Sequence, residues 1–286
     1  MTENARVAVV TGATQGLGKA LAARLADRLG PGGIVYVTGR DAKAIETVTE
    51  ELDGRGAEVR GEMFDVGRSD SAARIAGEME RRHGGVDIVF GNAVMRVGPD
   101  DDERHVVAPY VEVNNLGTTR LLRAFAPIVR DGGRLVVVAS RLGTLNYLAP
   151  VLHDRFDGLA TLDEVDDAVP AWRDEVAAGR TKATAWPAFV NIPSKIAQVA
   201  AVRVLAASRR DDDLRRDVML LSVCPGMMNT PTSQFWWDVS TAPSAAEAAE
   251  PLVDLVLGPT RPEFYGELVR AGQVLPWRPS SESRPG

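Results

Sequence analysis

Short runs of Val and Ile alternate with longer amphipathic stretches along nearly the whole chain, and this alternation restricts the fold more than any other feature. A parallel strand covered on both faces reads as an unbroken apolar run, because neither face meets water, whereas its crossover helix keeps a polar stripe. Strands are expected at 6–10, 34–38, 57–62, 86–90, 134–139 and 218–223, with a weaker one near 265–269. Helical periodicity falls between them, at 16–29, 41–53, 69–83, 108–130, 192–209 and 244–257. Repeated βαβ units of this kind specify an α/β fold with a doubly wound, Rossmann-like parallel sheet, in a single domain over 1–278. At 286 residues and 45% apolar side chains, the chain can bury a core of that size.

One region breaks the rhythm. Residues 150–186 are acidic, carry Pro150 and Pro170, end just before Pro187 and show a helical pattern only around 161–178. They read as a helical insertion folded over one rim of the sheet, where the loops of open α/β folds carry specificity. The polar residues 279–286 read as a disordered tail. The acidic runs Asp100–Glu103 and Asp211–Asp213 read as solvated loops.

Composition removes several classes of function. A net charge of −6 argues against nucleic acid or an anionic membrane as partner, since both require a positive field. No segment approaches the roughly eighteen consecutive apolar residues of a membrane span, and residues 1–5 lack the basic-then-apolar plan of a secretory signal, so the expected location is cytoplasmic. Cys224 is the only cysteine, which rules out an internal disulfide and a thiolate cluster. With His83, His105 and His153 scattered, no metal site is expected.

Chemistry concentrates at the strand ends. The first strand runs into Thr11-Gly12-Ala13-Thr14-Gln15-Gly16-Leu17-Gly18 and then a helix. Glycines at this spacing permit a tight turn and bring backbone N–H groups close to a pyrophosphate at the positive end of the helix. After the second strand, Arg40 stands where an acidic residue would hold the adenosine ribose hydroxyls, and a guanidinium there suits a 2′-phosphate, so NADP(H) is favoured over NAD(H). Asp41 pulls the other way, and Arg40 also reads as a plain surface residue opening the next helix. Asp65 and Val66, after the third strand, are placed to meet the adenine edge.

Taken together with Asn114-Asn115-Leu116-Gly117, Ser140, the rim insertion closing with Trp186-Pro187, Pro225-Gly226-Met227-Met228-Asn229-Thr230 and Gly266-Glu267-Leu268-Val269, the chain resembles the short-chain dehydrogenase/reductase superfamily, and within it the carbonyl reductase-like members. The resemblance extends the cofactor contacts to Asn92, Pro225, Gly226 and Thr230. It also implies a catalytic set in which a serine hydrogen-bonds the substrate carbonyl, a lysine holds the nicotinamide ribose, an asparagine supports a proton-relay water and a tyrosine donates the proton. Ser140, Lys195 and Asn114 match three of those positions, and Asn191 falls on the tyrosine. An amide donates a hydrogen bond but releases no proton near neutral pH, so general-acid catalysis worth about 10²–10⁴-fold is missing. A second departure is Val94, where the family has a glycine: either the loop takes another path or the position needs no positive φ.

Each matched residue also has an ordinary structural explanation. Ser140 can end a strand, Asn114 can satisfy a backbone kink, and Asn191 can open a helix that Pro193 tolerates in its first turn. Lys195 is harder to explain away, because a lysine in an apolar helix start needs a partner. Three readings of function remain open. The first is a reductase whose acceptor, a quinone or polycyclic aromatic ketone, needs little acid help, with Met227, Met228, Phe235, Trp236 and Trp237 either walling the flat ligand or packing a core. In the second, another group, foremost Tyr147, gives the proton. The third is a cofactor-binding partner protein or non-redox catalyst on the same fold. The resemblance favours the first, with a monomer preferred to a homo-oligomer. The Arg- and Ala-rich composition fits a high-GC bacterial source, where related reductases serve aromatic polyketide antibiotic pathways.

Overall fold

The structure, a computed structural model, describes residues 5–279, so nearly all of the polar tail lies outside the described residues. Its strands are β1 (Val7–Val10), β2 (Ile34–Gly39), β3 (Glu58–Met63), β4 (Val86–Gly91), β5 (Val129–Val138), β6 (Met219–Val223), β7 (Leu268–Arg270) and β8 (Gln273–Leu275). They form one sheet in the order β3-β2-β1-β4-β5-β6-β7-β8, parallel except for the β7–β8 pair. The helices are α1 (Gly16–Leu29), α2 (Ala42–Glu51), α3 (Ser71–His83), α4 (Glu103–Val111), α5 (Gly117–Phe125), α6 (Leu162–Ala177), α7 (Asn191–Arg215), the single turn α8 (Pro231–Gln234) and α9 (Ala245–Leu257). α1 packs beside α9, while α3, α5 and α7 pack side by side. The strand order reverses between β1 and β4, and in such sheets ligands bind outside the carboxyl ends of the strands at that switch.

β1, β2 and β6 are buried at every residue, as their unbroken apolar runs require. Four expectations need correction. The predicted helix 108–130 begins earlier, because Asp102 caps it by accepting from the Arg104 N–H at 3.0 Å, and so belongs to a helix start and not only to a solvated loop. That helix also ends earlier, at Phe125, and gives way to β5 at Val129, ahead of the expected 134. Pro127 lies in the break, where it cannot continue the hydrogen-bond ladder. Asp211–Asp213 are not a loop either: α7 runs through them, and Asp213 is buried, accepting from Arg209 Nη2 at 2.9 Å and from the Tyr265 hydroxyl at 2.6 Å. Finally, β8 was not anticipated. It returns antiparallel through Ala271 and Gly272, both at positive φ (49° and 73°), a two-residue turn that an Ala-Gly pair signals weakly.

Two apolar clusters result. One lies on the sheet under α1, α3, α5 and α9. The other is built from the rim: α6 contributes Val169, Trp172 and Val176, α4 contributes Val107, Tyr110 and Val111, and Phe156, Trp186 and Val190 join them. The insertion therefore carries its own core and holds α4 and the start of α7 in place.

Candidate active site

Two clefts open at the carboxyl ends of the strands, and Lys195 and Arg96 line both. The larger, about 540 Å³, follows the switch point. Gly12, Gln15, Leu17 and Gly18 form one wall from the first turn, Arg40, Asp65 and Val66 the far end, and Asn92 and Pro225 the side nearer the second cleft. Gly12 sits at φ 62°, and a Cβ there would stand 2.8 Å from the Ala93 backbone, so only glycine closes this turn against the β4 loop. Thr11 does not face the cleft. It is buried, and its Oγ1 accepts from the backbone N–H groups of Asn92 and Ala93, each at 2.9 Å, tying the two loops together. Gly16 and Gly226, at φ 53° and 83°, serve the turns, and Thr230 is buried with its hydroxyl 3.0 Å from that of Ser233.

Val94 resolves the question its position raised. The described non-glycine residues with positive φ are Ala185, Asp217 and Ala271, so the loop after β4 runs past Val94 without needing that conformation. Two residues beyond it stands Arg96, which no motif in the sequence marks. Its guanidinium reaches back over the glycine turn, 3.7 Å from where a Cβ of Gly16 would be, and burial pulls its pKa below the ordinary arginine value. The cleft thus combines the bare N-terminus of α1, a guanidinium above it and the exposed Arg40 at its far end. That donor set fits a phosphorylated dinucleotide.

The smaller cleft, about 200 Å³, is lined by Tyr110, Asn114, Asn191 and Lys195 at its inner end and by Phe189, Trp236 and Trp237 toward solvent. Asn114 lies in a π-helical turn, Glu112–Leu116, between α4 and α5. Its side chain clamps the Met95 backbone, accepting from the N–H at 2.7 Å and donating to the carbonyl at 3.0 Å. The wide turn leaves the Asn114 carbonyl to side chains, and Gln198 Nε2 donates to it at 2.8 Å and Thr118 Oγ1 at 2.7 Å. Gln198, one helical turn after Lys195, also accepts from Lys195 Nζ at 2.7 Å, with the Val138 carbonyl a weaker acceptor at 3.4 Å. Burial lowers the Lys195 pKa to about 8, since the partners around the ammonium are neutral amides.

Asn191 is the first residue of α7, and its Oδ1 accepts from the Tyr110 hydroxyl at 2.9 Å. Tyr110 was not anticipated. Its only sequence signal is its place one helical turn before Asn114, on the same helical face. Tyr147, the anticipated alternative proton donor, does not line either cleft; its hydroxyl accepts from Arg141 Nε at 2.6 Å. Ser140 also lines neither: it caps a turn, its Oγ accepting from the Leu142 N–H at 3.3 Å. Of the residues expected to wall a ligand, Trp236 and Trp237 do line the cleft, whereas Met227 and Phe235 stand outside, 47% and 68% exposed on the rim.

The sequence pattern of the short chain dehydrogenase family matches residues 6–150. Carbonyl reductase [NADPH] 1 of Sus scrofa is 26% identical over 292 aligned residues, covering 100% of this chain and 99% of its own. Carbonyl reductase [NADPH] 3 of Rattus norvegicus is 28% identical, covering 97% of this chain and 100% of its own. Among solved structures, salutaridine reductase from Papaver somniferum superposes with a TM-score of 0.76 at 22% identity, covering 92% of this chain and 99% of that one. Menthone neomenthol reductase from Mentha piperita gives 0.73, also at 22% identity, covering 94% of this chain and 100% of that one. These two likenesses concern the fold, while the matched pattern extends over half the sequence: the chain belongs to the short chain dehydrogenase family.

Proposed function

We propose that the protein is an NADPH-dependent reductase of a polycyclic aromatic quinone, working without a tyrosine acid at the head of α7. The observation that carries this reading is the Tyr110–Asn191 hydrogen bond, which fixes an amide at the inner end of a cleft walled by Phe189, Trp236 and Trp237. The full-length likeness to carbonyl reductases supports the reaction type. Bound NADPH supplies a hydride. The chain's own residues then have to hold the acceptor and stabilise the oxygen that gains the electron pair. Reduction of a simple ketone leaves an alkoxide, which needs an acid at once. A quinone leaves a delocalised aromatic oxyanion whose conjugate acid resembles a phenol, with a pKa of about 10, so water can protonate it after release.

Asn191 and Lys195 act as hydrogen-bond donors to that oxygen, with Ser140 as a further donor only if its side chain turns toward the cleft. Arg40, Arg96 and the first turn bind the dinucleotide, and Trp236 and Trp237 stack on the ring system. The cleft is smaller than the roughly 300–1,000 Å³ that enclose a drug-sized ligand, so a polycycle extends onto the exposed rim of Phe235 and Met227. An intermediate of an aromatic polyketide has the required shape. Anaerobic NADPH oxidation against a panel of polycyclic quinones and simple ketones, with Asn191→Tyr and Lys195→Ala alongside, tests the reading. Turnover of quinones but not ketones, lost in Lys195→Ala, is expected. NADPH binding without turnover of any acceptor sinks it and leaves a non-redox catalyst or a cofactor-binding partner protein.

A further inference from the structure

We infer that the smaller cleft is a receptor for an aromatic oxyanion, and that Tyr110 is the positioning residue that makes it one by turning the Asn191 amide so that its N–H groups face the ligand. The inference rests on taking that cleft as the substrate site, and it names the ionic form of ligand that the site prefers.

The geometry starts from α4. Val107 and Val111 pack with Val169 and Trp172 of the insertion, and Tyr110, only 3% exposed, is held between them and the cleft. Burial pushes its hydroxyl pKa up to about 12, so it stays protonated throughout the working range and acts as a donor. Its other polar neighbours, Asn114 and Ser194, each hold a partner of their own: Asn114 Oδ1 takes the Met95 N–H, and the Ser194 hydroxyl donates to Asn115 Oδ1 at 3.0 Å. The phenolic proton goes to Asn191 Oδ1, at 2.9 Å. With that oxygen held from the protein side, the amide turns its NH₂, two donors, toward the cleft.

Lys195 completes the same pole. An ammonium has three protons; Gln198 Oε1 takes one at 2.7 Å, the Val138 carbonyl lies at 3.4 Å, and one remains for the cleft. Gln198 is locked in turn, because its Nε2 donates to the Asn114 carbonyl and, at 3.0 Å, to Thr118 Oγ1. Both amides thus have their orientation set by partners inside the protein, and Asn191 and Lys195 meet the inner end of the cleft as donors. A phenolate or enolate oxygen satisfies them with its lone pairs. A neutral hydroxyl has to point its own proton at one of these donors or turn it away, so it meets them less well than the anion does. The charged groups that face the pole are Lys195 and Arg96, both lining the cleft; Cys224 lies beside Lys195, and the Glu103 carboxylate sits behind Asn191, accepting from the Val190 N–H at 3.3 Å. Lys195 and Arg96 attract any anion, so the contribution of the Tyr110–Asn191 pair has to be separated from theirs.

A coloured, redox-inert probe does this. Titrating 4-nitro-1-naphthol against pH, free and bound to the full chain without nicotinamide, reads the probe's ionisation from the visible absorbance of its anion. The expected result is a bound pKa about one unit below the free value, an approximately tenfold preference for the phenolate. Tyr110→Phe should remove most of that shift and Asn191→Asp should reverse it, with thermal midpoints showing that each variant is folded. If Tyr110→Phe does not fold, Asn191→Leu provides the same comparison without touching α4. A bound pKa equal to or above the free one, no binding of either form, or a full shift retained in folded Tyr110→Phe or Asn191→Leu overturns the proposal. Because no hydride is transferred, failure here is separate from failure of quinone reduction in the NADPH assay.

Discussion

The two clefts are built by different means. The larger cleft is organised around backbone: glycines at a strand-to-helix turn, the uncapped N-terminus of α1 and the ends of successive strands. The smaller cleft is made of side chains converging from α4, the π-helical turn, α7 and the loop around α8. A backbone site needs particular residues at short, fixed spacings, and so leaves a motif. A side-chain site needs only that distant helices be held in register, which here falls to the cluster supplied by the insertion. The contrast teaches that ligand chemistry can change in one cleft while the other is left intact.

The sharpest way to break that contrast is Trp172→Ala. The side chain is fully buried in α6 and shares no wall with either cleft. Removing it should lower stability by about 3–5 kcal/mol. Denaturant unfolding measures that loss, and where the variant stays folded the KM for a quinone should rise while the dissociation constant for NADPH changes little. Equal damage to both would show that the clefts are not independently supported.

A smaller effect concerns Lys195, which lines both clefts. Burial depresses its pKa from 10.5 to about 8. Between those values the unfolded chain binds more protons than the folded one, so stability contributed by this group rises with pH from about 8 to about 10.5 and is flat below 8. At about 1.36 kcal/mol per unit the rise amounts to roughly 3 kcal/mol, and Lys195→Met should abolish it. Denaturant midpoints of the two proteins at pH 7, 9 and 10 give the difference. The same neutralisation removes a cation from the substrate pole, so quinone turnover should fall above pH 8.

The mildest change sharpens the dinucleotide side. Arg40→Ala removes an exposed guanidinium, and a lost charge-assisted hydrogen bond of about 1.5–3 kcal/mol corresponds to roughly 10–100-fold weaker NADPH binding, with NADH affinity nearly unchanged. Fluorescence titration with both nucleotides tests it; parallel losses would assign Arg40 to the α2 surface instead.

The fold and the first cleft were legible because their determinants are local. The apolar runs gave β1, β2, β4, β5 and β6, since a strand buried on both faces has no other composition; β3, an edge strand exposed along much of its length, followed from the alternation, and β7 from the weaker seventh signal. The glycine turn announced itself for the same reason. The second cleft was half legible: Asn114, Asn191 and Lys195 were picked out by position, and the structure gathers them in one cavity. Tyr110, Gln198 and Arg96 were not, because nothing at a fixed spacing distinguishes a tyrosine that packs from one whose hydroxyl meets an asparagine 81 residues away. Tyr147 was singled out for lying seven residues after Ser140, and that proximity in sequence did not bring it to the cleft.

What the chain determined by itself was a doubly wound sheet, a glycine-lined dinucleotide end and an amide at residue 191, because each is fixed by residue type and short-range pattern. Which way that amide faces, which groups surround the ammonium of Lys195, and that the insertion forms a core instead of a flap were decided only by tertiary structure. Orientation is a property of contacts between helices far apart in sequence, and those contacts exist only once the rim has packed.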